Sequence, residues 1–326
     1  MPGKVITSAS GYESLQATPL GSGVVYGGMI RDRNWETDII PYIANTAVLE
    51  DLTRCGQVIE FRKPPRVGGW RSYEKNQNMV SDQVTSDTFC LTICNADYKS
   101  IKFDKVDIYT ACEHWDEFES AFLEDAWRQL SNQWQRNLLN GMILQASARN
   151  SGKNAGRYGN IDLGTVGSPV ELSPENLLGN LSKFREVLSD TGRWYDGEMF
   201  MLVPNAFNTL MAETVYAKQW CCDQSDSVLV KGFKASNIQG FTVYETDKLR
   251  PTVNPATNKL VYPILFGWND AYGFSGDIIE AELRHAPGNS FGVVYNMLSV
   301  YGGGVIYPEA LGRAYVSLST DGTVNA

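Results

Sequence analysis

Two histidines, six cysteines and 37 carboxylates are the groups in this 326-residue chain that could do chemistry, and their spacing withholds most of it. His114 and His285 have no histidine three to five residues away, so zinc-ligand spacing is missing. Cys55, Cys90, Cys94, Cys112, Cys221 and Cys222 include no CxxC pair. Adjacent Cys221 and Cys222 are poorly placed to close a ring, and with no apolar signal core at the start the thiols read as free and structural. "GSGVVYGG" (Gly21–Gly28) fails the dinucleotide pattern and reads as a flexible arm. "GFSG" (Gly273–Gly276) lacks the spacers of a nucleophile elbow, and no phosphate-binding GxxxxGK[ST] occurs. No catalytic residue, cofactor or metal site is expected.

Charge is the other resource. From Glu60 to Lys75 the chain places Arg62, Lys63, Arg66, Arg71 and Lys75 against Glu60 and Glu74, an excess of three positive charges. Pro64 and Pro65 stiffen the same stretch. From Glu113 to Asn137 it places Glu113, Asp116, Glu117, Glu119, Glu124 and Asp125 against Arg128 and Arg136, an excess of four negative charges. Each set needs an element to display it.

The basic set sits between two strands. Gln57–Arg62 is rich in strand formers, and "VTSDTFCLTICNAD" (Val84–Asp97) alternates as a return strand. Roughly 20–25 residues, many of them polar, lie between them, where a core hairpin normally closes in 2–5. The acidic set opens the clearest helix, Glu113–Ala146. Phe118, Phe122, Ala126, Leu130, Trp134, Leu138 and Met142 recur every four residues, and Trp115, Leu123 and Trp127 widen the stripe. Acids first and arginines later suit the helix dipole.

The remaining segments read as follows. A short helix is expected near Ala44–Arg54, and "NSGKNAGRYGN" (Asn150–Asn160) reads as a linker. A second long helix should start with Ser173 as cap and Pro174 at its first position, carry Leu177, Leu178, Leu181, Phe184 and Leu188, and end at Gly192. "EMFMLVP" (Glu198–Pro204) reads as a buried strand followed by a helix, and Val228 onward reads mainly as strands. Without alternating parallel units the class is α+β. The chain is 43% hydrophobic, enough for a sizeable core. Net charge −9 and pI about 4.9 argue against tight nucleic-acid binding. The longest apolar runs are far short of the roughly 20 residues of a spanning helix.

Taken in order, these segments resemble the major capsid protein of tailed bacteriophages, the Hong Kong 97-type fold. "GQVIEFRKPPR" with "VTSDTFCLTICNADYKSIKFDKVD" resembles the arms of that family's extended loop, and Glu113–Ala146 its spine helix. "LSPENLLGNLSKFREVL" then "EMFMLVPNAFNTL" resembles its axial helix, strand and helix. "NIQGFTVYETDKL", "LFGWNDAYGFSGDIIEAELR" and "PEALGRAYVSLS" resemble its later strands.

The resemblance implies an N-terminal arm over 1–55 and an extended loop over 56–105. It implies a peripheral domain over 106–150 and 277–305, and an axial domain over 151–276 and 306–326. It implies hexamers and pentamers closing an icosahedral shell around double-stranded DNA, in a virion assembled in a bacterial cytoplasm. The implied partners are a separate scaffolding protein, a portal protein at one vertex, optionally a decoration protein, and DNA held weakly. No membrane is involved. The basic loop is then expected to cross onto the acidic spine helix of a neighbouring subunit. Lys75 lies beside Asn76 and Asn78, yet no partner asparagine or catalytic glutamate can be matched for a covalent cross-link. The alternatives are a cellular protein compartment on the same fold, and an α+β enzyme using carboxylates.

Overall fold

The computed structural model describes residues 39–46, 58–62, 69–81, 88–105, 115–190, 198–207, 210, 234–286 and 291–319. Through them the chain forms α1 (Ile40–Ile43), β1 (Val58–Arg62), β2 (Thr88–Phe103), α2 (Trp115–Gln145), β3 (Val170–Leu172) and α3 (Leu177–Ser189). It continues through β4 (Met199–Val203), β5 (Lys234–Ile238), β6 (Phe241–Glu245), β7 (Thr252–Val253) and β8 (Leu260–Trp268). It ends with β9 (Tyr272–His285), β10 (Val293–Val305) and β11 (Leu311–Leu318). This is a mixed helix-and-sheet fold, as the α+β reading expects.

Two compact units emerge. The described residues of the first fall in Asn95–Gln135 and Gly276–Tyr301, and those of the second in Ile39–Cys94, Arg136–Ser275 and Gly302–Ala326.

In the first unit α2 lies on one face of strands in the order β2–β10–β9. Alternation along β2 explains which side chains meet the helix. Phe103 meets Phe122 edge-on at 5.4 Å and Tyr295 at 6.3 Å, and Lys99 Nζ donates to Gln129 Oε1 at 2.5 Å. The neighbouring β2 residue Ser100 points away and donates to Asn296 Oδ1 at 2.6 Å. Trp134 is the buried centre, 8% exposed. Its indole N–H donates to Ser299 Oγ at 3.2 Å and its ring tilts against Tyr301 at 5.9 Å. Tyr301 in turn donates to Asp97 Oδ2 at 2.8 Å.

In the second unit the strand order is β3–β11–β8–β4–β6–β5, with β7 beside β8. The pairing is mixed: β4 runs parallel to β6 and β3 to β11, while β8 is antiparallel to both β4 and β11. The apolar side of α3, Leu177, Leu181, Phe184 and Leu188, is buried in the core with Met201, Phe241 and Phe266. Phe184 stacks on Phe266 at 5.0 Å. The end of α2 is fastened here, because Arg313 donates to the Ile143 carbonyl at 2.8 Å, a cation at a helix C-terminus. Asn150 follows, donating to the Glu309 and Leu311 carbonyls at 2.6 and 2.9 Å.

Several expectations are corrected. A four-residue helix not anticipated from the sequence lies at Ile40–Ile43, with Ala44 extended after it; residues 47–54, where most of the expected short helix falls, lie outside the described set. Ser173 does not cap α3 through its hydroxyl. Its carbonyl accepts from Asn176 and Leu177 N–H, so Pro174–Asn176 form a turn and the helix starts at Leu177. That helix stops at Ser189 with Asp190 as cap, and Gly192 lies outside the described residues. The stretch Asn150–Asn160 is a hydrogen-bonded loop pinned to the core at Ala155, not a linker. Ala155 and Ile161 exchange backbone hydrogen bonds, Ala155 is fully buried, and left-handed Gly152, Gly156 and Gly159 make the bends. The helix after β4 is described only at Ala206, Phe207 and Leu210. Cys90 is a free thiol but an exposed one, so it does not pack a core; Cys55, Cys112, Cys221 and Cys222 lie outside the described residues.

Candidate functional site

β1 and the start of β2 form the base of the expected long hairpin. They pair antiparallel, with Glu60 opposite Cys90 and Arg62 opposite Thr88. These four residues are exposed. β2 then continues to Phe103, six residues beyond the expected end, as a strand of about 50 Å at roughly 3.3 Å per residue.

Beyond Arg62, the residues Lys63, Pro64, Pro65 and Arg66 lie outside the described set. The described part of the excursion, Gly69–Ser81, is exposed at every residue. It forms neither helix nor strand and makes one turn. There Gln77 N–H donates to the Glu74 carbonyl at 3.1 Å, Glu74 N–H donates to Gln77 Oε1 at 3.3 Å, and Asn76 is left-handed at φ 70°. Asparagine tolerates that conformation best among side-chain-bearing residues. Arg71 and Lys75 are displayed as expected. Trp70, Tyr73, Met79 and Val80 are displayed with them, which reading by charge missed. The signal was a tryptophan and a Met-Val pair in a polar stretch with no strand or helix period to bury them.

The acidic set is carried by α2, whose 31 residues span about 46 Å. Glu113 lies outside the described residues. Asp116, Glu117 and Glu119 lie on the helix, and their side chains are outside the described set. Glu124 is exposed. Asp125 is engaged within its own helix: it pairs with Arg128 one turn on and accepts from Gln129 Nε2 at 2.5 Å. Part of the acidic display is thus neutralised locally. The same helix leaves Leu123 37% and Trp127 51% exposed, one turn apart. The apolar stripe is wider than the sheet beneath covers.

Among the described residues no group of three or more His, Cys, Asp or Glu could hold a metal ion, and no helix is long and apolar enough to cross a membrane. What the two elements offer is contact surface: a projecting basic and aromatic loop, and a helix with an acidic first half and an exposed apolar step.

No family model matches the sequence, and no curated protein matches it. Solved structures match it over nearly the whole chain. A chain of Mycobacterium phage Che8 has a TM-score of 0.65 at 13% identity, over 91% of this chain and 96% of that one. A chain of the capsid of cyanophage P-SCSP1u has a TM-score of 0.61 at 12% identity, over 90% and 91%. A chain of the mature capsid of bacteriophage PhiM1 has a TM-score of 0.56 at 12% identity, over 96% and 99%. At such identities the likeness is one of fold, and in fold the chain is similar to these phage chains, two of them from capsids, as the resemblance of its sequence implies.

Proposed function

We propose that the chain is a shell subunit: the major capsid protein that builds the icosahedral head of a tailed bacteriophage around its double-stranded DNA. The observation that carries this is the loop Gly69–Ser81, exposed throughout and carrying Trp70, on a fold shared with phage capsid chains. A monomer gains nothing from a fully exposed tryptophan, whereas a subunit whose neighbour covers it does. The role is structural, not catalytic.

On this reading the first unit is the peripheral domain with α2 as its spine, and the second is the axial domain that clusters in hexamers and pentamers. The loop crosses to a neighbour and its bases face that neighbour's acidic helix. A scaffolding protein, a portal protein and packaged DNA are the partners, with DNA held weakly because the chain is acidic. The virion is its place, with assembly in the host cytoplasm.

Expression followed by sedimentation and negative-stain microscopy tests this. Closed particles of uniform diameter are expected. A chain that stays a monomer or dimer with its assembly partner supplied overturns it.

A further inference from the structure

The loop and the helix were read from sequence as charged surfaces, but the exposed groups best suited to binding on both are apolar. On the loop Trp70 is fully exposed, and Tyr73, Met79 and Val80 are each more than two-thirds exposed. On the helix Leu123 and Trp127 sit at i and i+4, neighbours on one face, half-open to solvent while Trp134 behind them is buried. Trp127 is held from behind by Trp134, edge-on at 5.9 Å, so its exposed side is a fixed surface. Charge adds direction. The loop's Arg71 and Lys75 outnumber Glu74, while from Trp115 to Trp127 the helix carries five acids and no Lys or Arg.

We infer that Trp70 of one copy seats on the Leu123–Trp127 step of a second copy's helix, as the anchor of the contact between them. This rests on the shell-subunit reading and deepens it, by assigning the contact to an aromatic anchor instead of to ion pairs. A tryptophan can bury roughly 150–250 Å², and desolvated Trp anchors dominate interfaces while rim charges set approach and register. The exposed loop ion pairs become rim. The anchored contact therefore persists at salt concentrations that screen exposed charges. The other apolar face on the first unit, Ile279 and Leu283 on β9 with Tyr98 on β2, is the competing seat.

The test uses the full chain with its six cysteines replaced by serine, after that background is shown to assemble like the parent. Trp70→Cys protein mixed with Leu123→Cys protein under assembling conditions should give a disulfide-linked dimer on a non-reducing gel, which neither variant gives alone. Trp70→Cys mixed with Ile279→Cys should not. Separately, Trp70→Ala should raise the apparent critical concentration for assembly about tenfold or more, with Trp70→Phe between. Because Trp70 is fully exposed, both variants should melt like the parent when unassembled. Linkage to Ile279→Cys instead of Leu123→Cys, or Trp70→Ala assembling at the parent's concentration, overturns the inference and leaves the shell reading standing. A parent chain that forms no particles overturns the shell reading, and this inference falls with it.

Discussion

Gly303 lies directly against the phenol of Tyr272. A Cβ at position 303 would stand 2.6 Å from the Tyr272 hydroxyl oxygen, 2.7 Å from Cε1 and 2.9 Å from Cζ. All three are closer than real Cβ atoms come. Tyr272 is buried, so its ring has little room to retreat. Gly141 on α2 faces the same hydroxyl from another side, where a Cβ would stand at 3.0 Å. The two glycines thus make the slot for one tyrosine, between a strand and the latter half of the helix.

This pair yields contrasting expectations. Gly303→Ala should destabilise the unassembled chain by about 1–3 kcal/mol through overpacking. Gly141→Ala gains about 1 kcal/mol of helix propensity against a milder contact, and should stay within about 1 kcal/mol of the parent. Tyr272→Phe should rescue Gly303→Ala only in part, since ring carbons as well as the hydroxyl are in the way. Denaturant unfolding of the four proteins checks this, and equal effects of the two alanines would refute the slot.

Trp134 gives the second prediction. Its indole N–H can only donate, and Ser299 Oγ is its acceptor in a buried setting. Ser299→Ala leaves that donor without this partner and should cost about 1–3 kcal/mol. In a Trp134→Phe background, which has no donor, Ser299→Ala should cost measurably less. Additive losses in the double-mutant cycle would show that the bond contributes nothing.

What the sequence disclosed follows from how each signal arises. Trp134, Leu138 and Met142 recur at the helical period because a single sheet-facing stripe repeats it, so α2 was legible. Leu123 and Trp127 belong to that apolar pattern too, but a pattern cannot say whether its outer edge is covered by the same chain. They widen the stripe in sequence, and the structure leaves them exposed. Ser173 carried the standard cap signature, yet the Pro174–Asn176 turn intervenes; the hydrogen bonds that decide this come from backbone groups that composition does not encode. Asn150–Asn160 has a linker's composition because left-handed bends need glycine, and the same glycines serve a tight loop pinned by hydrogen bonds at Ala155 and Ile161. Trp70 was passed over because the bases around it drew the reading toward charge.

The charge register supplies a third prediction. If the loop crosses onto a neighbour's acidic helix, as proposed, reversing Arg62, Lys63 and Arg66 to Glu turns an attraction into repulsion. Each exposed pair contributes only about 0–1 kcal/mol, but a shell repeats the contact many times. Particle yield should fall, and should recover partly as added salt screens the repulsion. Normal yield with the parent's salt response would remove charge from the interface altogether, leaving the aromatic anchor alone.

The last prediction concerns alkaline pH. Tyr244 on β6 is buried and stacks on Tyr42 at 5.2 Å. Burial first, then the negative charge of Glu198 and the neighbouring Tyr42 phenol, raise its pKa above the ordinary value of 10.0. The sign follows from proton counting. Above about pH 10 the unfolded chain gives up this proton while the folded chain keeps it, so the folded state binds more protons and stability falls as pH rises. The contribution is complete below the unfolded value and lost as pH climbs through the folded one. Tyr244→Phe cannot ionise, so its stability should decline less between neutral pH and about pH 11, while at pH 7 it should lie within about 1.5 kcal/mol of the parent. Urea midpoints across that range decide it: parallel alkaline declines for the two proteins would mean that Tyr244 ionises in the folded chain as freely as in the unfolded one.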